Sequence, residues 1–250
     1  MSAAVLSCLI FALTLGGILL GALLRTTLPQ HHLSKDSQDV VRLGVGLIAT
    51  IAALVLGLLI AAAKGSFDTQ SGQVKQITAD FILLDALLEQ YGPDAQPIRA
   101  EMRSVIGPFV DRIWHERPAD AARPFARDAK AEGVYIAIQA LSPKNDLQRS
   151  LQSRAAQIST DLAQIRLLLF AESDSAIPAP FIAILAFWLI IIFASFSLFS
   201  TLNVTVFGFL SLFALSASCA IFLILELSEP FTGLLTIPSA PLRNALAPLG

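Results

Sequence analysis

Two carboxylates stand near the end of the chain in the stretch LELSEPFTG, where Glu226 and Glu229 lie three residues apart, directly before Pro230. A ring of such carboxylates at the mouth of a pore would attract cations. Alternatively, Glu226 pairs with a basic side chain, Lys64 or Arg243, and holds the apolar tail against the rest of the molecule. We favour this second interpretation, a latch, because carboxylates at a membrane interface are usually paired or solvated.

A second set of residues shares small side chains and follows the spacings four, three, four and four along one apolar run. Such spacing places them on one face of a helix, where small side chains let a neighbouring backbone approach closely. Helix packing is the commoner meaning of this pattern. The functional alternative is the narrow, weakly polar wall of a pore in an oligomer. The candidates are Gly46, Thr50, Ala53, Gly57 and Ala61.

Catalytic chemistry is not indicated by any recognisable motif. The sequence has no G-x-x-x-x-G-K-[ST], G-x-G-x-x-G, H-E-x-x-H or C-x-x-C pattern. His31 and His32 are adjacent and therefore do not share a helix face, and no nearby Cys or carboxylate completes a metal site. We therefore expect no catalytic residue, no bound metal and no cofactor, and an enzyme is the least favoured class of function.

The composition is that of a membrane protein with one polar insert. Of the 250 residues, 55% are hydrophobic and only 14% are charged, with a mean hydropathy of +0.69, whereas about a quarter of the residues of a soluble domain are charged. Most ionisable residues lie between Lys64 and Asp174. A formal net charge of -2 gives no basic footprint for nucleic acid. Cys8 and Cys219 both lie in apolar runs, so we expect no disulfide.

Four runs are long and apolar enough to cross a bilayer, which requires about 20 residues. They predict an all-α, polytopic protein. The predicted segments are transmembrane helices at 1–24, 43–63, 177–200 and 204–226, a polar loop at 25–42, an extramembrane insert at 64–176 and an apolar tail at 227–250. Four crossings put both termini and the insert on the same side of the membrane.

The two ends of the insert carry apolar residues at alternating spacings of three and four, from Val74 to Tyr91 and from Leu147 to Leu169. These seams predict a pair of coiled-coil-like helices that pack within and between subunits. We expect a break at Gly65–Ser66 before the first seam. Ser142–Pro143 resembles a helix cap with a proline in the first turn of the second.

Between the seams, two weaker helical stretches are predicted. The first runs from Ile98 to His115 and is expected to be interrupted at Gly107–Pro108, because a proline inside a helix removes a backbone hydrogen bond. The second extends from Phe125 to Leu141. No stretch shows sustained period-two alternation, so strands are not expected.

Three segments, GALLRTTLPQHHLSKDSQDVVRLGVGLIATIAALVLGLLIAAAKGSFD, LDALLEQYGPDAQPIR and LELSEPFTGLLTIPSAPLRNALAPL, resemble the bestrophin-like membrane proteins of bacteria and plants. The family usually has an acidic residue where this chain has Ser228. The order of spans is also similar to that of true bestrophins, pentameric anion channels with a cytoplasmic domain between spans two and three. The resemblance implies that the insert and both termini are cytoplasmic.

The function that the resemblance implies is a homo-oligomeric ion channel in the cell membrane, lined by the second span, with the lipid bilayer, inorganic ions and further copies of the chain as partners. The alternative is a non-conducting membrane scaffold that recruits partners through its coiled-coil-like insert. A closed ring of subunits would favour the channel, and a monomer or simple dimer would favour the scaffold.

Overall fold

The chain divides into two compact units in a computed structural model that describes residues 2–29, 34–115, 129–173, 177–201 and 203–245. The membrane unit comprises Met1–Phe67, Ala176–Glu229 and Gly233–Leu235. The insert unit comprises Asp68–Ser175, Pro230–Thr232 and Thr236–Gly250. Regular structure in the described residues is helical throughout, as predicted.

Eight α-helices occur in the described part of the chain, and four of them are long and apolar enough to cross a membrane. The prediction of an all-α protein with four spans and a helical insert is therefore confirmed. The helices are α1 (Ala3–Thr27), α2 (Lys35–Tyr91), α3 (Gln96–His115), α4 (Ala129–Ala140), α5 (Asp146–Ser173), α6 (Ala179–Phe199), α7 (Val204–Leu227) and α8 (Ala240–Asn244). The candidate spans are α1, α2, α6 and α7.

Two glycines of α1 allow the backbones of α1 and α6 to touch. A Cβ atom on Gly17 would lie 3.1 Å from both the carbonyl oxygen and a side-chain carbon of Ile190. A Cβ on Gly21 would collide with the carbonyl oxygen of Ala194 and lie 3.1 Å from the Cβ of Ser197. Because lipid tails are as apolar as the side chains, such close packing is a main source of helix association in a bilayer.

Buried hydroxyl groups on α1 are satisfied inside their own helix. Ser7 Oγ donates to the Ala3 carbonyl at 2.8 Å, and Thr14 Oγ1 donates to the Ile10 carbonyl at 2.7 Å. Since a bilayer supplies no water to bond such groups, a hydroxyl that returns to the preceding turn can be buried against a neighbouring helix.

Helix α2 runs without interruption from Lys35 to Tyr91, so the predicted break at Gly65–Ser66 is wrong. A glycine inside a helix costs only about 1 kcal/mol relative to alanine. On one side of this point Leu59 and Ala63 are buried in the core of the membrane unit, and on the other Val74 is buried in the insert unit. Packing on both sides outweighs the local preference of Gly65 for a turn.

Most positions of the predicted seams lie in the core of the insert unit, but Leu147, the predicted start of the second seam, is exposed. Leu84 and Leu88 of α2 pack with Met102 of α3, Ile138 of α4 and Ile158 of α5 in one apolar cluster. A second cluster, from α2, α3, α5 and α8, has as its buried members Ile77, Ile106, Phe109, Val110, Leu169 and Leu242. Each of these helices therefore buries one apolar stripe, as the three-four periodicity indicates.

Helix α3 continues through Gly107–Pro108, and the predicted interruption there is wrong. Pro108 is exposed, whereas Ile106 and Val110 on either side are buried. Burying such side chains contributes about 1.5–3 kcal/mol each, so together they outweigh the roughly 3 kcal/mol that an internal proline costs.

Helix α5 begins at Asp146, three residues later than the predicted cap at Ser142–Pro143. The side chain of Asn145 accepts a hydrogen bond from the backbone N–H of Gln148 at 2.8 Å, and the Gln148 side chain accepts one from the N–H of Lys144, also at 2.8 Å. This reciprocal pair satisfies two donors that the start of the helix leaves open. The predicted beginning of α4 near Phe125 lies outside the described residues.

An ion pair joins α2 to α3 inside the insert unit. Arg99 donates two hydrogen bonds to the carboxylate of Asp85, from Nε at 2.9 Å and from Nη2 at 2.7 Å, and both side chains are nearly buried. The exposed Arg103 adds a longer bond of 3.2 Å. The hydrogen bonds from Arg99 lower the pKa of Asp85 below its ordinary value of 3.8, although burial opposes the shift.

Close packing between α1 and α6 predicts a sharp difference between two glycines of α1. Gly21→Ala forces the backbones apart, and we expect it to destabilise the membrane unit by about 1–3 kcal/mol, the usual cost of overpacking. Gly16→Ala on the same helix meets nothing within 4 Å, and we expect it to be neutral or slightly stabilising. The measurement is the fraction of detergent-purified protein that stays monodisperse after heating. Equal behaviour of the two variants would contradict the close contact.

The Asp85–Arg99 pair predicts a pH-dependent contribution to stability. Because the pKa of Asp85 is lower in the folded protein, the pair stabilises fully above pH 3.8, and this stabilisation is lost as the pH falls through the folded pKa. We expect Arg99→Ala to cost about 2 kcal/mol at neutral pH. Arg103→Ala, which removes an exposed partner, should cost less, about 0.5 kcal/mol.

Thermal unfolding measured between pH 7 and pH 3 checks this expectation. The gap between the wild type and Arg99→Ala should narrow toward the acid end of the range. A gap that is constant with pH would show that Arg99 acts through its packing and not through the carboxylate.

Candidate functional site

The small-residue face of α2 is exposed on the surface of the single chain. Gly46, Thr50, Ala53, Gly57 and Ala61 form this face, and a Cβ added at Gly46 or Gly57 would meet nothing within 4 Å. Helix packing within the chain therefore does not explain these residues. The close glycine contact of the membrane unit lies instead between α1 and α6, on residues that the sequence analysis did not select.

The opposite face of α2 is the one that packs inside the membrane unit. Val45, Ala52, Leu59 and Ala63 are buried there in the same apolar cluster as residues of α1, α6 and α7. At 100° per residue, the small residues form a stripe on the other side of the helix. A stripe of exposed leucines, which includes Leu54 and Leu58, runs beside them.

Thr50 is the one hydroxyl-bearing residue of the small-residue stripe. Its Oγ1 donates to the carbonyl of Gly46 at 2.9 Å, so the donor is satisfied within the helix while the oxygen keeps a free lone pair toward the surface. The stripe is therefore weakly polar at this depth and carries no charge. An ion that passed it would meet small, neutral side chains.

At the end of α7, the side chain of Glu226 is buried and folds back onto the chain behind it. Oε2 accepts hydrogen bonds from the backbone N–H groups of Leu234 at 2.7 Å and Leu235 at 3.4 Å. A carboxylate that accepts backbone N–H groups is bonded about twice as strongly as a neutral acceptor. Glu226 therefore fixes the path of the segment Gly233–Leu235 immediately after the helix.

Glycine is required at position 233 for two reasons, its backbone conformation and the close approach of the Glu226 side chain. Its φ angle is +93°, a conformation that L side chains rarely adopt, and a Cβ atom there would collide with the carboxylate of Glu226. The motif is therefore Glu226 together with Gly233. Both residues are visible in the sequence. Their spacing, however, does not indicate that the Glu226 side chain accepts hydrogen bonds from the backbone that follows Gly233.

The predicted partners of the latch take other positions. Arg243 bonds the carboxylate of Asp111 at 2.7 Å within the insert unit. The Lys64 ammonium lies 5.5 Å from the ring centroid of Phe67. Glu229 is exposed, and its backbone N–H bonds the Glu226 carbonyl at 3.2 Å. The sequence predicted a basic side chain as the partner of Glu226. In the structure, its carboxylate accepts hydrogen bonds from backbone N–H groups.

The tail contributes to the insert unit through contacts that the sequence analysis did not identify. The indole N–H of Trp114 donates to the carbonyl of Ile237 at 2.8 Å, and its ring lies edge-on to Phe231 with centroids 5.2 Å apart. Leu242 of α8 is fully buried in the cluster that includes Val110. Trp114 and Ile237 are 123 residues apart in the chain, so no local pattern could have indicated their contact.

The histidine pair His31–His32 lies outside the described residues. Within the part of the chain that the structure describes, no group of three or more His, Cys, Asp or Glu side chains is arranged to hold a metal ion. Cys8 and Cys219 are both free thiols on the chain surface.

The hydrogen bonds of Glu226 predict that this residue matters for folding more than for ion preference. Glu226→Gln keeps one acceptor oxygen but removes the charge, and we expect it to cost about 1–2 kcal/mol. Gly233→Ala should be at least as damaging, because it adds backbone strain to the clash. The control is Glu229→Gln, which changes an exposed carboxylate three residues away.

The readouts are thermal stability and the fraction of intact oligomer, followed by the reversal potential in asymmetric salt. We expect the first two to fall for Glu226→Gln and the third to stay at its wild-type value. A shifted reversal potential with intact oligomers would instead place the Glu226 carboxylate at the mouth of a pore.

Comparisons with known proteins place this architecture in a family. Residues 11–242 match the profile described as the bestrophin-like domain. The fold is similar to the crystal structure of a point mutant of a bacterial bestrophin homologue from Klebsiella pneumoniae, with a TM-score of 0.71 and 15% identity over 96% of this chain and 97% of that one. No curated protein matched the sequence. The chain therefore belongs to the bestrophin-like family of membrane proteins.

Proposed function

We propose that this protein is a homo-oligomeric ion channel of the cell membrane in which the small-residue stripe of α2 lines the pore. The observation that carries the proposal is that this stripe is exposed within the chain, in a protein whose family and fold are those of a bestrophin homologue. The insert and both termini lie on the cytoplasmic side.

Among the four candidate spans, α2 is the one with the most surface to offer to other partners. Only 17% of its most apolar stretch is buried within the chain, against 28% to 33% for the other three. A helix with so little of its surface covered has room for further neighbours. In a ring of subunits, the small-residue stripe of α2 would face the lumen and the leucine stripe would face the adjacent subunit. In the proposed ring, the leucine stripe that includes Leu54 and Leu58 packs against the adjacent subunit.

The polarity of the proposed pore suits gating by dewetting. The central parts of the four predicted transmembrane segments, 1–24, 43–63, 177–200 and 204–226, contain no Asp, Glu, Lys or Arg. Thr50 supplies a hydroxyl at mid-depth of the second. A narrow apolar passage excludes water until it widens, and then conducts without any buried charge. The absence of an ionisable group at membrane depth also disfavours a proton-coupled transporter.

Two pairs of neighbouring residues test which stripe of α2 faces the lumen. In a background with Cys8 and Cys219 replaced by alanine, single cysteines are placed at Gly57 or Leu58, and at Thr50 or Ile51. Members of a pair lie at the same depth and about 100° apart. In planar bilayers, we expect a charged thiol reagent to block current through Gly57→Cys and Thr50→Cys and to leave the other two unchanged.

The reverse pattern would place the leucine stripe in the lumen and overturn the assignment of the lining. Wild-type protein that forms no ring by native mass spectrometry, and passes no current across voltage and ionic conditions, would instead support the alternative of a non-conducting scaffold.

A further inference from the structure

The insert unit contains a cavity of about 500 Å³ that is bounded by α2, α3, α4 and α5 and opens to the surface. It lies where the two apolar clusters of the unit meet, since Phe81 and Leu162 pack against both clusters and also line the cavity. The described residues that line it all belong to the insert unit.

The volume of the cavity is that of a small-molecule site. Such sites are clefts or cavities of about 300–1,000 Å³ with mainly apolar walls. The wall residues Met102 and Phe109 are themselves buried, so the cavity is formed by a folded core. Filling it with apolar atoms would restore dispersion contacts that the empty walls lack.

The chemistry of the lining restricts what could fill the cavity. Its interior is apolar, with Ile77, Leu84 and Val105 among the walls. The charged residues of the lining, Glu132 and Arg166, have opposite signs, so the site has no net preference for an anion or a cation.

One polar group of the lining is available for a ligand. Ser159 of α5 lines the cavity and is half-buried, so its hydroxyl can be reached from the cavity. The hydroxyl of the adjacent Thr160 donates to the Ala156 carbonyl at 3.0 Å. A hydroxyl at the wall of an apolar cavity can donate to, or accept from, one polar atom of a ligand.

We propose that this cavity binds an uncharged, mainly apolar small molecule that carries one hydroxyl or carbonyl group, with the apolar body among α2, α3 and α5 and the polar group bonded to Ser159. The site is separate from the stripe on α2 that we assign to the pore. Its occupancy is independent of whether the protein conducts.

The probe is dodecanol carrying a diazirine, which crosslinks on illumination to the residues around it. Full-length protein in lipid nanodiscs is labelled, digested and mapped by mass spectrometry. Ala163→Trp fills the cavity from its wall, and the matched control Gln164→Trp places the same side chain on the next exposed residue, which does not line the cavity. Thermal stability is measured for both variants.

We expect crosslinks on the insert peptides that contain Met102 and Ser159, lost in Ala163→Trp and retained in Gln164→Trp. Free dodecanol should displace the probe more effectively than dodecanoate. Ser159→Ala, which removes only a hydroxyl, should weaken displacement by dodecanol about fivefold and leave displacement by dodecane unchanged.

Three results would overturn the proposal. Crosslinks confined to the membrane helices would show that the probe dissolves in the bilayer and not in the cavity. Equal competition by dodecanoate would contradict the uncharged ligand. Labelling of the insert that requires dissociation of the oligomer would show that a second copy of the chain fills the space.

Discussion

The contact between the backbones of α1 and α6 is the interaction on which the membrane unit depends most. In a bilayer, moving an apolar side chain from contact with lipid to contact with another helix gives no hydrophobic free energy. Helices therefore associate mainly through dispersion between closely packed atoms. Gly17 and Gly21 bring α1 against the carbonyls of Ile190 and Ala194. Helix α1 also packs against α7. Helix α1 therefore packs against both α6 and α7. Helix α2 packs in the same unit through side chains of its buried face, such as Val45 and Leu59.

The sequence alone does not show which small residues pack between helices and which remain on the surface of the chain; the structure separates the two groups. Gly17 and Gly21 of α1 pack against α6 inside the chain, whereas the small-residue stripe of α2 lies on its surface. Likewise, Glu226 is occupied by the backbone behind α7. A carboxylate held in this way defines a turn and has little freedom to meet a passing ion. In the channel that we propose, ions therefore meet α2 and not the end of α7.

Sequence patterns predicted those parts of the fold that depend on local periodicity. The fourth predicted span, 204–226, coincides with helix α7, Val204–Leu227. The three-four seams supply much of the core of the insert, although Leu147 at the start of the second is exposed. Predictions failed where packing overrides a local signal, as at Gly65 and Pro108, which lie inside continuous helices. The contact of Trp114 with Ile237 was missed, because hydrogen bonds across 123 residues leave no trace in spacing. The exposure of the α2 stripe could be found only by seeing which face the other helices cover.

The glycine contact also sets how the membrane unit can move. The contact of α1 with α6 at Gly17 and Gly21 is made by backbone atoms, which have no side-chain rotamers to adjust, so we expect these two helices to move together. Helix α2 is held by side chains such as Val45 and Leu59, and helices packed through side chains can shear by small sliding movements. Any opening of the unit would therefore be a shear of α2 over a fixed frame of its neighbours.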